Sequence, residues 1–320
     1  MKSLLTLRNI NVENANAISG VTYGFPAISN FLGFTHALSR KIEKKLGLRL
    51  GGCAVICHQY QVNAHQPKGW GDYVFALTRN PLTKEGSTAA FVEEGRMAME
   101  VSLLIECDFI CENLGSGDFK EEIKAFEDFV REQVLMSRLA GGTILNMEKV
   151  VFEELPQDRE KIAKFTRKQL LKLMPGFLLV NRSDTLKKHY ESLKLSNPDA
   201  ELIDAWLDFA ALKYKAIPNL KENEELTEQA KAHWEYKSKP ASGWLVPLAI
   251  GFKAISPLYE NNEVARSRDP SIPFRFVETV YGIGEWLSPH RIQKFNGIFW
   301  RYRAEGEWYL CENNYQAPVQ

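Results

Sequence analysis

The sequence predicts an α+β fold built on a split βαβ, ferredoxin-like core in the order strand, helix, strand, strand, helix, strand. Three observations carry this. Residues 3–12 alternate apolar and polar, with Leu5, Leu7, Ile10 and Val12 on the apolar positions. Residues 31–46 and 119–138 each repeat apolar side chains at helical spacing. Two further strand windows, 53–62 and 98–110, fall between those helices.

Taken in order, the first strand gives way to a loop through Gly20, Gly24 and Pro26. Ser29 or Asn30 is the expected N-cap of a helix over 31–46, with Phe31, Phe34, Leu38 and Ile42 inward and Gly47 as terminator. The strand over 98–110 alternates at Met99, Val101, Leu103 and Ile105. The second helix carries Phe119, Ile123, Phe126, Phe129, Val130 and Leu135 roughly on one stripe. Behind it comes Arg138-Leu139-Ala140-Gly141-Gly142, then an apolar run from Ile144. The glycine pair reads either as a helix C-cap or as a phosphate cradle in which bare amides stand beside the Arg138 guanidinium.

Between the second and third strands lies an insert over 66–97, too long for a hairpin loop and therefore an arm. It holds Trp70, Tyr73, Phe75, Arg79, Asn80, Lys84 and Arg96. This places the core with its arm in 1–150. A helical insertion is expected over 151–242, with helices at 158–173, 183–195 and 199–213. Its polar stretch 219–242 reads as a mobile surface segment. Residues 243–320 turn to strand and turn composition at 243–247, 274–277 and 282–286, an additional carboxyl-terminal region packing on the core.

The 320 residues carry 40 Lys and Arg against 40 Asp and Glu. That balance excludes a protein that coats nucleic acid non-specifically, and leaves room for a local basic groove. The amino terminus lacks a signal-peptide pattern, no apolar run reaches membrane-spanning length, and five cysteines suit a reducing compartment, so a soluble cytoplasmic protein is expected. Cys53-x-x-x-Cys57-His58 and Cys107-x-x-x-Cys111 lack zinc-knuckle spacing, and on strands each pair shares a face as core cysteines do. Gly282-x-Gly284 lacks the third glycine of a dinucleotide fingerprint. His36 and His290 are the candidate acid-base residues, but neither has a carboxylate or nucleophile visible beside it. No metal, cofactor or catalytic set is expected.

The arginines read as a binding surface. Arg138, the amides of Gly141 and Gly142, Arg266, Arg268 and Arg291 are the candidate phosphate contacts. Phe34 and Trp286 are the candidate stacking faces, the combination by which single-stranded RNA is held.

Distinctive blocks begin with Asn14-Ala15-Asn16-Ala17-Ile18-Ser19, Gly24-Phe25-Pro26, Gly33-Phe34-Thr35-His36-Ala37-Leu38 and Leu77-Thr78-Arg79-Asn80-Pro81-Leu82. Others follow: Gly86-Ser87-Thr88-Ala89-Ala90, Val92-Glu93-Glu94-Gly95-Arg96, Arg138-Leu139-Ala140-Gly141-Gly142, Gly243-Trp244-Leu245-Val246-Pro247, Ser256-Pro257-Leu258-Tyr259 and Gly284-Glu285-Trp286-Leu287-Ser288-Pro289-His290-Arg291. In collinear order these resemble the Csy-two family, the Cas-five-type subunit of type I-F CRISPR surveillance complexes. The resemblance implies an RRM-like, RAMP-type fold with a thumb-like arm and a glycine-rich loop after the second helix. Positions 66–97, with Arg79, Asn80, Lys84 and Arg96, and Gly141-Gly142 match those features. It further implies a non-catalytic subunit that holds the 5′ handle of CRISPR RNA. Such a subunit pairs with the large, Cas-eight-type subunit and caps the Cas-seven-type backbone filament that recognises double-stranded target DNA. The alternatives are a metal-independent repeat endoribonuclease, as in a related Cas-five subunit, and a protein-only scaffold.

Overall fold

The computed structural model describes residues 1–79, 82, 83, 85–115, 117–219 and 231–316, with the backbone alone at 78 and 79. β1 (Ser3–Asn16) leads into α1 (Ile28–Leu46). α1 begins earlier than its polar signals suggest. Ala27 is the N-cap with no side-chain bond, and neither Ser29 nor Asn30 caps the helix, because the fully buried Ile28 already belongs to the packed face. Gly47 ends it at φ 70°, its N–H donating to Glu43 O at 2.8 Å, a left-handed cap that glycine adopts without strain.

β2 (Leu50–Val62) and β3 (Arg96–Cys107) follow, then α2 (Phe119–Leu135), whose cap Asp118 accepts from the Lys120 amide at 2.7 Å. Phe126, Val130 and Val134 are the buried residues of α2, whereas Phe119 and Leu135, expected on its inward stripe, lie exposed near its ends. β4 (Arg138–Leu139) pairs with β5 (Gly142–Glu154), which runs antiparallel to β1 with Leu7 opposite Val150.

Downstream come α3 (Arg159–Leu171), β6 (Phe177–Asn181), α4 (Ser183–Ser196) and α5 (Leu202–Ala210). β7 (Leu245–Ala254), β8 (Val277–Leu287), β9 (Arg301–Glu305) and β10 (Trp308–Glu312) close the chain. The described residues thus hold one large antiparallel sheet in the order β4-β5-β1-β3-β2-β6-β8-β7-β10-β9, with five α-helices. The sheet is continuous from the amino-terminal to the carboxyl-terminal region, with β6 as the joint: Leu178 pairs with Ile56 on one side and with Leu287 on the other. Its far half curls back. Trp300 and Cys53 exchange backbone hydrogen bonds of 3.0 and 2.8 Å, and the fully buried Trp300 indole donates to Leu179 O at 2.9 Å.

Burial on both faces explains why β1 reads as more than a half-buried strand. Leu5, Leu7 and Val12 pack with Phe31, Phe34, Leu38 and Ile42 of α1 and Phe126 and Val130 of α2. Leu4, Ala54, Ile56 and Leu104 look the other way, into Leu170, Leu173, Phe295 and Phe299. A third cluster seats α4 and α5 on β8 through Leu186, Trp206, Phe209 and Ile283. The stretch 219–242, expected as a mobile surface segment, in part forms a hairpin strand: residues 232–236 pair with 214–218. Residues 220–230 lie outside the described residues.

Candidate nucleic-acid interface

The elements that matter converge where β1 ends. There the Asn16 amide donates to Ala140 O and the Ala17 amide to Gly95 O, both at 2.8 Å. One residue pair therefore ties the glycine turn to the root of the arm. The arm rises as two short hairpins, Ala64–His65 with Val74–Phe75 and Leu77–Arg79 with Phe91–Glu93. Trp70, Tyr73, Leu77, Leu82 and Phe91 are all exposed on it. Gly95 lets Ile18 close over the arm root, since a Cβ there would sit 2.4 Å from Ile18 Cγ1 and displace that side chain.

The glycine turn is neither a helix cap nor a free cradle. α2 ends at Leu135, and Ala140 and Gly141, at φ 51° and 78°, form the two-residue loop of the β4–β5 hairpin, where tight hairpins need positive φ twice. Gly142 is buried in the ladder: a Cβ there would lie 2.6 Å from Glu13 O and 2.7 Å from Ala15 N. Its expected role in close approach to a phosphate is thus corrected to close approach between strands. Gly141 alone of the pair is exposed, with open space beside it. Arg138 is exposed and makes no ion pair among the described residues. Lys41 stands next to it, donating to Ser137 Oγ at 3.0 Å.

An aromatic cavity of 160 Å³ opens at the same root, between the 18–23 hairpin and the starts of β7 and the end of β8. Trp286 is buried in the core cluster, so the stacking role expected of it is corrected: it backs the cavity, meeting Phe25 edge-on at 4.9 Å and the half-exposed Trp244 at a tilt at 6.4 Å, with Ser19, Thr22 and Tyr60 at the edge. Tyr23, also lining it, packs edge-on against Phe75 of the arm at 5.9 Å. Phe25, Tyr60 and Trp244 escaped the sequence-based selection. They come from segments distant in sequence, and only the clustering of aromatics near Gly24 and Gly243 hinted at them.

The other expected residues separate. Phe34 is buried in the core beneath α1, so its ring has no face to offer a base, and the stacking role expected of it is corrected. Arg96 is engaged by Glu94 at 2.5 Å and reaches Asn14 O. Arg266 and Arg268 are exposed on the 255–276 excursion, which leaves β7 and β8 at the ends away from Trp244 and Trp286. Arg291 lies in a short turn over Pro289–Arg291. The side chain of Arg79, and Asn80 and Lys84 altogether, lie outside the described residues. His36 packs edge-on against Tyr302, and His290 Nδ1 lies 2.8 Å from Ser288 Oγ, so neither faces a carboxylate. Cys53 and Cys57 share the core face of β2, where burial pushes both thiols up to about 12. Among the described residues no group of three or more His, Cys, Asp and Glu could hold a metal ion, and no helix is long and apolar enough to cross a membrane.

The sequence model of the family described as CRISPR-associated protein (Cas_Csy2) matches residues 5–311. The chain belongs to the Csy2 family. It is 39% identical over 315 residues to CRISPR-associated protein Csy2 of Pseudomonas aeruginosa (strain UCBPP-PA14), covering 95% of this chain and 92% of that protein. The matched span includes the arm root, the glycine hairpin and every aromatic of the cavity.

Proposed function

We propose that the chain is a non-catalytic subunit of a type I-F CRISPR surveillance complex, with a ferredoxin-like core, that holds the 5′ handle of CRISPR RNA at the root of its arm. The strand order β5-β1-β3-β2, with α1 and α2 on one face, supports that core. Membership in a family of CRISPR-associated proteins supports the setting. In that setting the subunit lies beside the large subunit and caps the backbone filament for recognition of double-stranded target DNA.

The observation that carries the RNA reading is the 160 Å³ aromatic cavity at the arm root, which β1's end ties to the hairpin bearing Arg138. An apolar cavity of about 150 Å³ accepts a benzene ring. The cavity at the arm root therefore has room for a ring of one splayed base against Trp244, with the phosphates toward Arg138 on the β4–β5 hairpin. RNA cutting is assigned to other proteins, since no carboxylate orients either His36 or His290, whose one polar side-chain contact among the described residues is Ser288 Oγ against His290. Trp244 is half-exposed, so Trp244→Ala tests the base contact with little cost to the core. It is expected to weaken guide-RNA binding by the assembled complex by about 1–3 kcal/mol, the usual worth of a stacked base. Unchanged affinity in a folded variant refutes the cavity as a base site, and a discrete cleavage product from repeat RNA incubated with the pure chain refutes the non-catalytic assignment.

A further inference from the structure

α3 presents a face that nothing among the described residues covers. Arg159, Ile162, Ala163, Thr166, Arg167 and Leu171 recur at the three- and four-residue steps of one helical stripe, and Leu171 is 53% exposed. Across from this stripe, His290, Lys294 and Phe295 form a second wall, and the two enclose an open groove of about 930 Å³. Its α3 side is aliphatic between Arg159 and Arg167, and its far side adds Lys294 and the amides of Gln293, Asn296, Asn314 and Gln316. No Asp or Glu lines it, and Arg159, Arg167 and Lys294 make no ion pair among the described residues; Lys294 Nζ donates only to Gln316 Oε1, at 2.8 Å.

We propose that this groove docks an amphipathic, acidic helix of a protein neighbour, with aliphatic side chains on the floor and carboxylates paired to Arg159, Arg167 and Lys294. Two features select that occupant. Three uncompensated cations on two facing walls call for anionic groups. An aliphatic floor rewards apolar side chains at helical spacing and gives phosphates nothing, while the one aromatic in the wall, Phe295, is buried and offers no stacking face to a base. The groove lies on the sheet face opposite α1 and α2, so the inference does not rest on the RNA site at the arm root.

The test is photocrosslinking in the assembled ribonucleoprotein with p-benzoylphenylalanine in place of Thr166, read by mass spectrometry. The expected product joins position 166 to a protein segment whose apolar stripe is flanked by Asp or Glu. Its yield falls at least fivefold in Arg159→Glu/Arg167→Glu, and by a similar factor in Leu171→Ser, which alters no charge. Guide-RNA content, measured on the same samples, stays at the wild-type level in both variants, whereas Trp244→Ala moves RNA content and leaves the crosslink intact. A crosslink to nucleic acid, a crosslink to a segment without acidic flanks, no crosslink to any macromolecule, or a yield indifferent to charge reversal each overturns the proposal.

Discussion

Replacing Gly142 by alanine separates a strand contact from a phosphate contact at the same residue. The new methyl would lie 2.6 Å from Glu13 O and 2.7 Å from Ala15 N. Neither atom can retreat, because this stretch of β1 is held by β3 on its far side, with Ala15 opposite Met97. Overpacking of a rigid wall costs about 1–3 kcal/mol, and a backbone wall belongs at the upper end. Unfolding entropy near 2.1 cal/mol/K per residue gives roughly 0.7 kcal/mol/K for a 320-residue chain, so ~3 kcal/mol lowers Tm by about 4–5 °C. Gly141→Ala is the control: it meets nothing within 4 Å, and only its φ of 78° is strained, at about 1–2 kcal/mol for an L side chain. Thermal melting of the purified chain reads both variants, and guide-RNA affinity of the assembled complex is measured beside it. Wild-type melting with weakened RNA binding in Gly142→Ala would refute the strand argument and return Gly142 to the phosphates.

Two further outcomes are expected. Arg138→Ala, at an exposed position without an ion pair among the described residues, should change stability by less than about 0.5 kcal/mol, yet lower the salt slope of guide-RNA binding by roughly one; an unchanged slope would remove Arg138 from the phosphate path. Asp208 sits between His189, at 2.7 Å, and Lys213; burial acts to raise its pKa, but the hydrogen bonds from Lys213 and His189 outweigh it and hold the carboxyl below its ordinary value. Its contribution is therefore present above the unfolded-state pKa and is lost as pH falls through the depressed folded one, so Asp208→Asn should destabilise at pH 7 and converge with wild type in acid. Urea midpoints of both proteins across that range check the sign.

The first half of the chain was legible because its periods are clean. Val12 and Met99 alternate with polar neighbours, and the Phe31, Phe34, Leu38 and Ile42 stripe of α1 is buried as its spacing requires. The same stripe argued against a stacking role for Phe34. Helical spacing decided where the ring went, whatever its chemistry allowed. The glycine pair was harder, since β4 is only two residues long and leaves no alternation to distinguish a hairpin from a helix cap. The second half hid its strands for a similar reason. β7 carries Pro247 and Gly251 and slips register at Ala249, so it reads as turn, while its pairing with β8 spans the whole 255–276 excursion. The cavity was invisible because Phe25, Tyr60, Trp244 and Trp286 come from segments that meet only once the sheet has curled.

That curl also bears on where RNA can go. A single strand read on the face of a small antiparallel sheet needs exposed aromatics there to stack on. In this chain part of the face opposite α1 and α2 is sealed by Leu170, Leu173, Phe295 and Phe299. Next to it lie Asn11, Glu100 and Asn146, with Asn11 Nδ2 donating to Asn146 Oδ1 at 2.6 Å, and the groove there is edged by Gln59, Tyr60, Gln61 and Leu145. Glu100 repels phosphates there, and the one aromatic in that lining, Tyr60, is shared with the cavity at the arm root. The unpaired cation and the half-open aromatics stand instead at the edge of the sheet, where β1 runs out and the arm begins. On the proposed function, a chain of zero net charge serves RNA at that edge and a protein neighbour on the sealed face, since neither surface needs an overall excess of charge.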